Sequence, residues 1–112
     1  MKLTNPTDEQ LIEAFAEKVC AWPETESTKL ARLMGKSPYP PFTQSFDAVL
    51  PWLEKHEWSA ERFTNGDGNL VVVVRVGLLG IGGGWCDTEL PRAAVIALLR
   101  AHDVAVEFSP AT

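Results

Sequence analysis

The sequence predicts an α+β (α/β) fold, a single-domain sandwich with a mainly antiparallel sheet of three to four strands between helices. Three observations carry that expectation. Apolar residues recur at helical spacing near both ends, at Leu11, Ile12, Phe15 and Val19 and again at Leu90, Ala94, Val95, Leu98 and Leu99. The run Leu70 to Val76 is β-branched almost throughout, and its four consecutive valines suit a central strand covered on both faces. The stretch Asn65-Gly66-Asp67-Gly68 is a strong turn signal joining that run to a strand-like segment before it. At 112 residues, with 46% apolar and 22% charged residues, the chain can bury one core without staples, so 1–112 is expected to form one domain.

The elements follow in the order α, loop, α, β, β, β, α, β. A first helix over 7–22 starts at Thr7, which can cap with Gln10, and stops before Pro23. Glu9, Glu13 and Glu17 line its far side as a solvated face. Residues 23–42 are expected to be a covering loop. Lys29 to Met34 within it have one or two helical turns closed by Gly35, and Leu30, Leu33, Met34, Tyr39 and Phe42 give the loop something to bury. A second helix over 45–57 carries Phe46, Val49, Leu50, Trp52 and Leu53, with Pro51 distorting it. A hairpin or meander occupies 58–85. The last helix, 88–101, opens at Asp87-Thr88 with Pro91 in its first turn, and a strand over 104–108 closes the domain.

Composition excludes several functions. A net charge of −5 opposes binding to a phosphate backbone, so no nucleic-acid partner is expected. Cys20 and Cys86 make no disulfide framework and read as reduced thiols in apolar surroundings. No early apolar run has a basic start, and Leu70 to Val74 is far too short to span a bilayer. These features place the chain in a cytoplasm with no membrane partner.

Residues 69–101 combine a strand, a glycine-rich turn and a helix start, the order in which many ligand sites are built. Gly77 and Gly82 have P-loop spacing, but Gly83 stands where the lysine belongs. Gly80 and Gly82 would need a glycine at Trp85 to make a dinucleotide fingerprint. Asp87 and Glu89 would also repel a phosphate at the helix start. What survives is a candidate pocket of Gly82, Gly83, Gly84, Trp85, Thr88 and Arg92, with Arg75 or Arg92 as charge partner, and an interface candidate in Leu78, Leu79 and Ile81. Cys86 and His102 lie roughly 24 Å apart along the last helix, too far for a nucleophile and base. Nothing recommends Cys86 with His56. No cysteine–histidine spacing matches a zinc site, so neither a metal nor a cofactor is expected. Trp22, Trp52 and Trp58 follow core periodicity, leaving Trp85 as the tryptophan expected to be partly exposed.

Two blocks carry a family resemblance. Pro41-Phe-Thr-Gln-Ser-Phe-Asp-Ala-Val-Leu-Pro-Trp-Leu-Glu-Lys-His-Glu-Trp resembles the P-x-[YF]-T-x-S-[LF]-D-A-x-[LM]-x-L-[VL]-x-x-x-W block of the phage ABA sandwich domain. Asp87-Thr-Glu-Leu-Pro-Arg-Ala-Ala-Val-Ile-Ala-Leu-Leu-Arg-Ala resembles that family's closing helix, with loose spacing at Leu90-Pro91. The resemblance implies a sheet between helical layers, phage or prophage origin and residence in the host cytoplasm; it implies no activity. Thr43, Ser45 and Asp47, which recur in the block, are expected to cap the second helix. Two functions follow as expectations. The first is a non-enzymatic phage accessory protein that binds a protein partner or forms a homo-oligomer. The alternative is a small-molecule binder, such as a sponge for a nucleotide signal of host defence. The helix, three strands, helix order is also that of double-stranded RNA-binding domains, but their last helix needs a basic start and this one begins Asp87-Thr88-Glu89.

Overall fold

Every residue from Ala93 to Leu99 is fully buried, and the rest of the chain is arranged around that segment. The computed structural model describes residues 2–64, 66–77, 83–87 and 89–108. Its elements are β1 (Lys2–Thr4), α1 (Asp8–Ala14) continued by a π-helical turn (Phe15–Val19), α2 (Glu26–Leu33), α3 (Phe46–Leu53), β2 (Trp58–Thr64), β3 (Leu70–Val76), β4 (Gly83–Asp87), α4 (Leu90–Ala101) and β5 (Ala105–Glu107). The class is α+β, as expected.

The sequence of α4, Ala-Ala-Val-Ile-Ala-Leu-Leu at its centre, is apolar all round, and a helix of that kind belongs in an interior. It packs on β3 and β4, and also on α1, the π-helical turn, α3 and β5. Sheet, α4, and then α1 with α3 therefore succeed one another as layers. Pro91 sits in the first turn of α4, where its fixed φ suits a helix start. Glu89 holds the N-cap position, where its side chain makes no capping hydrogen bond. Asp87, expected to open this helix, ends β4 instead, and Thr88 lies outside the described residues.

Thr7 and Gln10 form the capping box of α1: the Gln10 amide donates to Thr7 Oγ1 at 3.2 Å and the Thr7 amide to Gln10 Oε1 at 2.8 Å. Beyond Ala14 the helix widens, and the Cys20 amide donates to the Phe15 carbonyl at 3.0 Å, the bond of a π-turn. The wider turn puts Phe15, Ala16, Val19 and Cys20 all into the core. Ala21 then takes a left-handed φ of 55°, and Pro23 follows. In α3, Val49 and Leu53 are buried, and Pro51 stands inside a helix that stops at Leu53, short of the expected 57.

The strands divide between two small sheets. β2, β3 and β4 form an antiparallel meander with Trp58 opposite Val76 and Val76 opposite Gly83. β3 is its middle strand, and Val72, Val74 and Val76 join the core. Its other residues do not form a second buried face: Val71 is buried, Val73 half-buried and Arg75 exposed, the last ion-paired with Glu61 at 3.6 Å. No residue of β2 is buried, so Trp58 is not the core residue its spacing implied. β1 and β5 pair in parallel as a separate two-stranded sheet. A strand as short as Lys2-Leu3-Thr4 has no period to detect, which is why only the closing strand was expected. Lys2 and Glu107 reinforce the pair with a 3.2 Å ion pair.

Residues 23–42 are only partly the covering loop expected. Phe42 is buried and Tyr39 half-buried in an aromatic row, with Phe15–Phe42 ring centres at 4.5 Å, Trp22–Phe42 at 5.9 Å and Trp22–Tyr39 at 6.1 Å. Leu30, Leu33 and Met34 lie exposed instead. They belong to a helix that starts earlier than expected, at Glu26, and buries none of its residues.

Candidate functional site

That helix, α2, is formed by local chemistry alone. Thr25 caps it, and Thr28 reaches back to complete the box: the Thr28 amide donates to Thr25 Oγ1 at 3.3 Å, and the Thr25 amide to Thr28 Oγ1 at 2.8 Å. Gly35, at φ 74°, permits the left-handed turn that ends it. Leu30, Leu33 and Met34 fall at i, i+3 and i+4, so they share one face, and 58%, 85% and 61% of their respective surfaces remain open. A Leu-Leu-Met stripe of this geometry normally faces a core. Here it faces outward.

The helix is tied to the body of the molecule through Arg32. Arg32 Nε donates to Glu13 Oε1 of α1 at 3.0 Å, Nη1 pairs with Glu24, and Nη2 donates to the Tyr39 hydroxyl at 3.2 Å. The guanidinium also stands 5.8 Å from the Tyr39 ring centre. The hydrogen bond that Arg32 donates to Glu13, against the opposing effect of burial and with the charges of Glu13 and Glu24, holds the Arg32 proton more tightly than usual. Arg32 separates two neighbouring clefts. The larger, about 310 Å³, is lined by Glu13, Glu17, Trp22, Glu24, Arg32 and Tyr39. The other, about 270 Å³, lies against Glu9, Glu13, Gly35, Lys36 and Ser37. The larger cleft is lined by three carboxylates, one arginine and two aromatic rings, and Glu17 also pairs with Lys18 at 3.6 Å. An excess of carboxylate beside aromatic rings is chemistry suited to cationic or apolar groups. The four-residue spacing of Glu9, Glu13 and Glu17 was visible in the sequence; Glu24, Arg32 and Tyr39 as their neighbours were not.

The site expected at the glycine-rich turn is only partly in view. Leu78, Leu79, Ile81, Gly82 and Thr88 lie outside the described residues. Gly83, Gly84 and Trp85 are paired in β4 opposite Val76, Arg75 and Val74. Arg92, in the first turn of α4, has its Nε 3.4 Å from Asp8 Oδ1, and its guanidinium stands 5.2 Å from the Phe108 ring centre. The packing of α1 on α4 brings Asp8 to it, in a partly exposed ion pair.

Cys20 is buried, and that burial, opposed by the charge of Lys55, pushes its thiol up to about 12. It behaves as a small apolar residue rather than a nucleophile. Thr43 is fully buried, and its Oγ1 has no hydrogen-bond partner among the described residues. Ser45 occupies the N-cap of α3 but makes no side-chain bond there, so the capping expected of Thr43 and Ser45 is not formed; Asp47 lies in the first turn. His56 and His102, far apart in the sequence, meet edge to face with ring centres 5.6 Å apart. No helix among the described residues is long and apolar enough to cross a membrane.

These layers define a small α+β domain whose fold is shared with a known one. The chain superimposes on the crystal structure of a phage protein from Bacillus cereus ATCC 14579 with a TM-score of 0.56, covering 89% of this chain and 91% of the other at 16% identity. At that identity the likeness is one of fold. No protein-family model matches the sequence, and no curated protein matches it.

Proposed function

We propose that the chain is a phage- or prophage-encoded accessory protein of the ABA sandwich kind, which acts in the host cytoplasm by binding a protein partner and has no enzymatic activity. The two sequence blocks at 41–58 and 87–101 and the fold shared with a Bacillus cereus phage protein support the origin. The binding role rests on one observation, the unpartnered Leu30, Leu33 and Met34 face of α2. The acidic clefts behind the helix favour a partner segment that joins apolar residues to lysine or arginine. A second copy of this acidic chain is the weaker candidate. The three side chains expose on the order of 400 Å², whereas a stable dimer buries about 800 Å² on each subunit.

The test begins with light scattering, where a monomer is expected. A photo-crosslinking residue at position 33, in bacterial cells making the protein, should then capture a protein that the same residue at exposed position 44 does not. Purified, that protein should bind the chain at least tenfold more weakly after Leu33→Asp. Binding indifferent to Leu33→Asp would refute the reading, and a dimer dissolved by the substitution would replace the partner with a second copy.

The small-molecule alternative has the aromatic cleft in its favour, at the lower end of the roughly 300–1,000 Å³ common for ligand sites. Its surplus of carboxylates disfavours nucleotides. A rise in melting temperature with any nucleotide would revive that class.

A further inference from the structure

The chain contains two histidines, and folding brings both of them together. His56 follows α3, its amide donating to the Leu53 carbonyl at 2.9 Å. His102 caps α4, its amide donating to the Leu98 and Leu99 carbonyls at 3.1 and 3.0 Å. The packing of α3 on α4 fixes both backbones, leaving only side-chain rotation to aim the rings. Both residues are exposed, so the pair is open to solvent. Each residue also follows the C-terminal end of a helix, whose dipole favours positive charge.

From this geometry we propose that His56 and His102 form a two-imidazole site for a divalent transition-metal ion such as Zn²⁺, Ni²⁺ or Cu²⁺. With metal–nitrogen bonds of about 2.0–2.1 Å, two imidazoles on one tetrahedral ion have ring centres about 5.2 Å apart. The separation here is 5.6 Å, within a few tenths of an ångström of that spacing, and because the rings stand edge to face at 87°, rotation about the side-chain bonds must also turn a nitrogen of each ring toward the ion. Imidazole nitrogen selects these ions over Mg²⁺ and Ca²⁺, which prefer oxygen. The ligating form is neutral imidazole, and burial together with His56 already lowers the proton affinity of His102, against the opposing charge of Asp103. Among the described residues no third histidine, cysteine or carboxylate completes a cluster. The remaining coordination positions therefore go to water, and the site is an open one.

Calorimetric titration of the untagged protein with ZnCl₂, repeated in the Cys86→Ser variant to remove a competing thiol, should show one ion per chain. His56→Gln and His102→Gln should each weaken binding at least tenfold, and MgCl₂ should not bind. Both residues are exposed, so neither variant is expected to unfold. In parallel, the two imidazole ¹⁵N spin systems should shift together and saturate at one equivalent of Zn²⁺. The proposal is overturned if either glutamine variant binds Zn²⁺ within twofold of the parent, if only one ring shifts, or if no binding is seen.

Discussion

Leu33 and Leu98 both sit at helical positions where a leucine is ordinarily counted as core, and exchanging each for another residue measures the difference that packing makes. Leu98 is fully buried in α4, which is enclosed by β3, β4, α1, the π-helical turn and α3. Leu98→Ala removes a buried isobutyl group from a site that elements on several sides keep from collapsing. The cost is expected in the middle of the usual range, about 3–4 kcal/mol. For a domain of 112 residues each kcal/mol corresponds to about 4 °C of Tm, so the loss is about 12–16 °C. Leu33 is 85% exposed, and Leu33→Gln keeps its helix propensity, so its effect should stay within about 0.5 kcal/mol. Urea unfolding followed by the fluorescence of the four tryptophans reads both, provided m is unchanged. A cost below about 1.5 kcal/mol for Leu98→Ala would refute the enclosure of α4. A cost above about 1 kcal/mol for Leu33→Gln would show that the α2 face is covered in solution.

Thr43→Val replaces a buried, unpartnered hydroxyl by a methyl group of the same shape, and should raise stability by about 1 kcal/mol; a fall in Tm would show that Oγ1 is hydrogen-bonded after all. The His102 proton affinity lies below its ordinary value of 6.5, through burial first and His56 second, so the unfolded chain binds the proton more readily. The contribution of this residue to stability is therefore complete above about pH 6.5 and lost as the pH falls through the lowered folded value. His102→Asn should flatten that part of a stability–pH profile, and an unaltered slope would refute the assignment.

Much of the local structure was legible in the sequence because local chemistry makes it. Thr7 and Gln10 cap α1 within four residues of chain, β2 and β3 pair on either side of the expected turn, whose Asn65 lies outside the described residues, and the valine run is the middle strand of its sheet. The α+β class follows from the same signals. The layers do not. Periodicity shows that a helix has an apolar face, but what covers that face depends on residues distant in the chain. The same kind of stripe is enclosed on all sides in α4 and bare in α2. The site was illegible for a related reason. Glu13, Glu24, Arg32 and Tyr39 converge through the packing of three separate segments, and His56 meets His102 only because α3 lies on α4. Sequence by itself determined the longer helices and the strands of the meander, though not β1 or the full extent of α2, since capping, turn chemistry and β-branching act over a few residues. Only the tertiary structure decided which apolar faces are satisfied and which charged and imidazole groups become neighbours, because burial and electrostatics act through space.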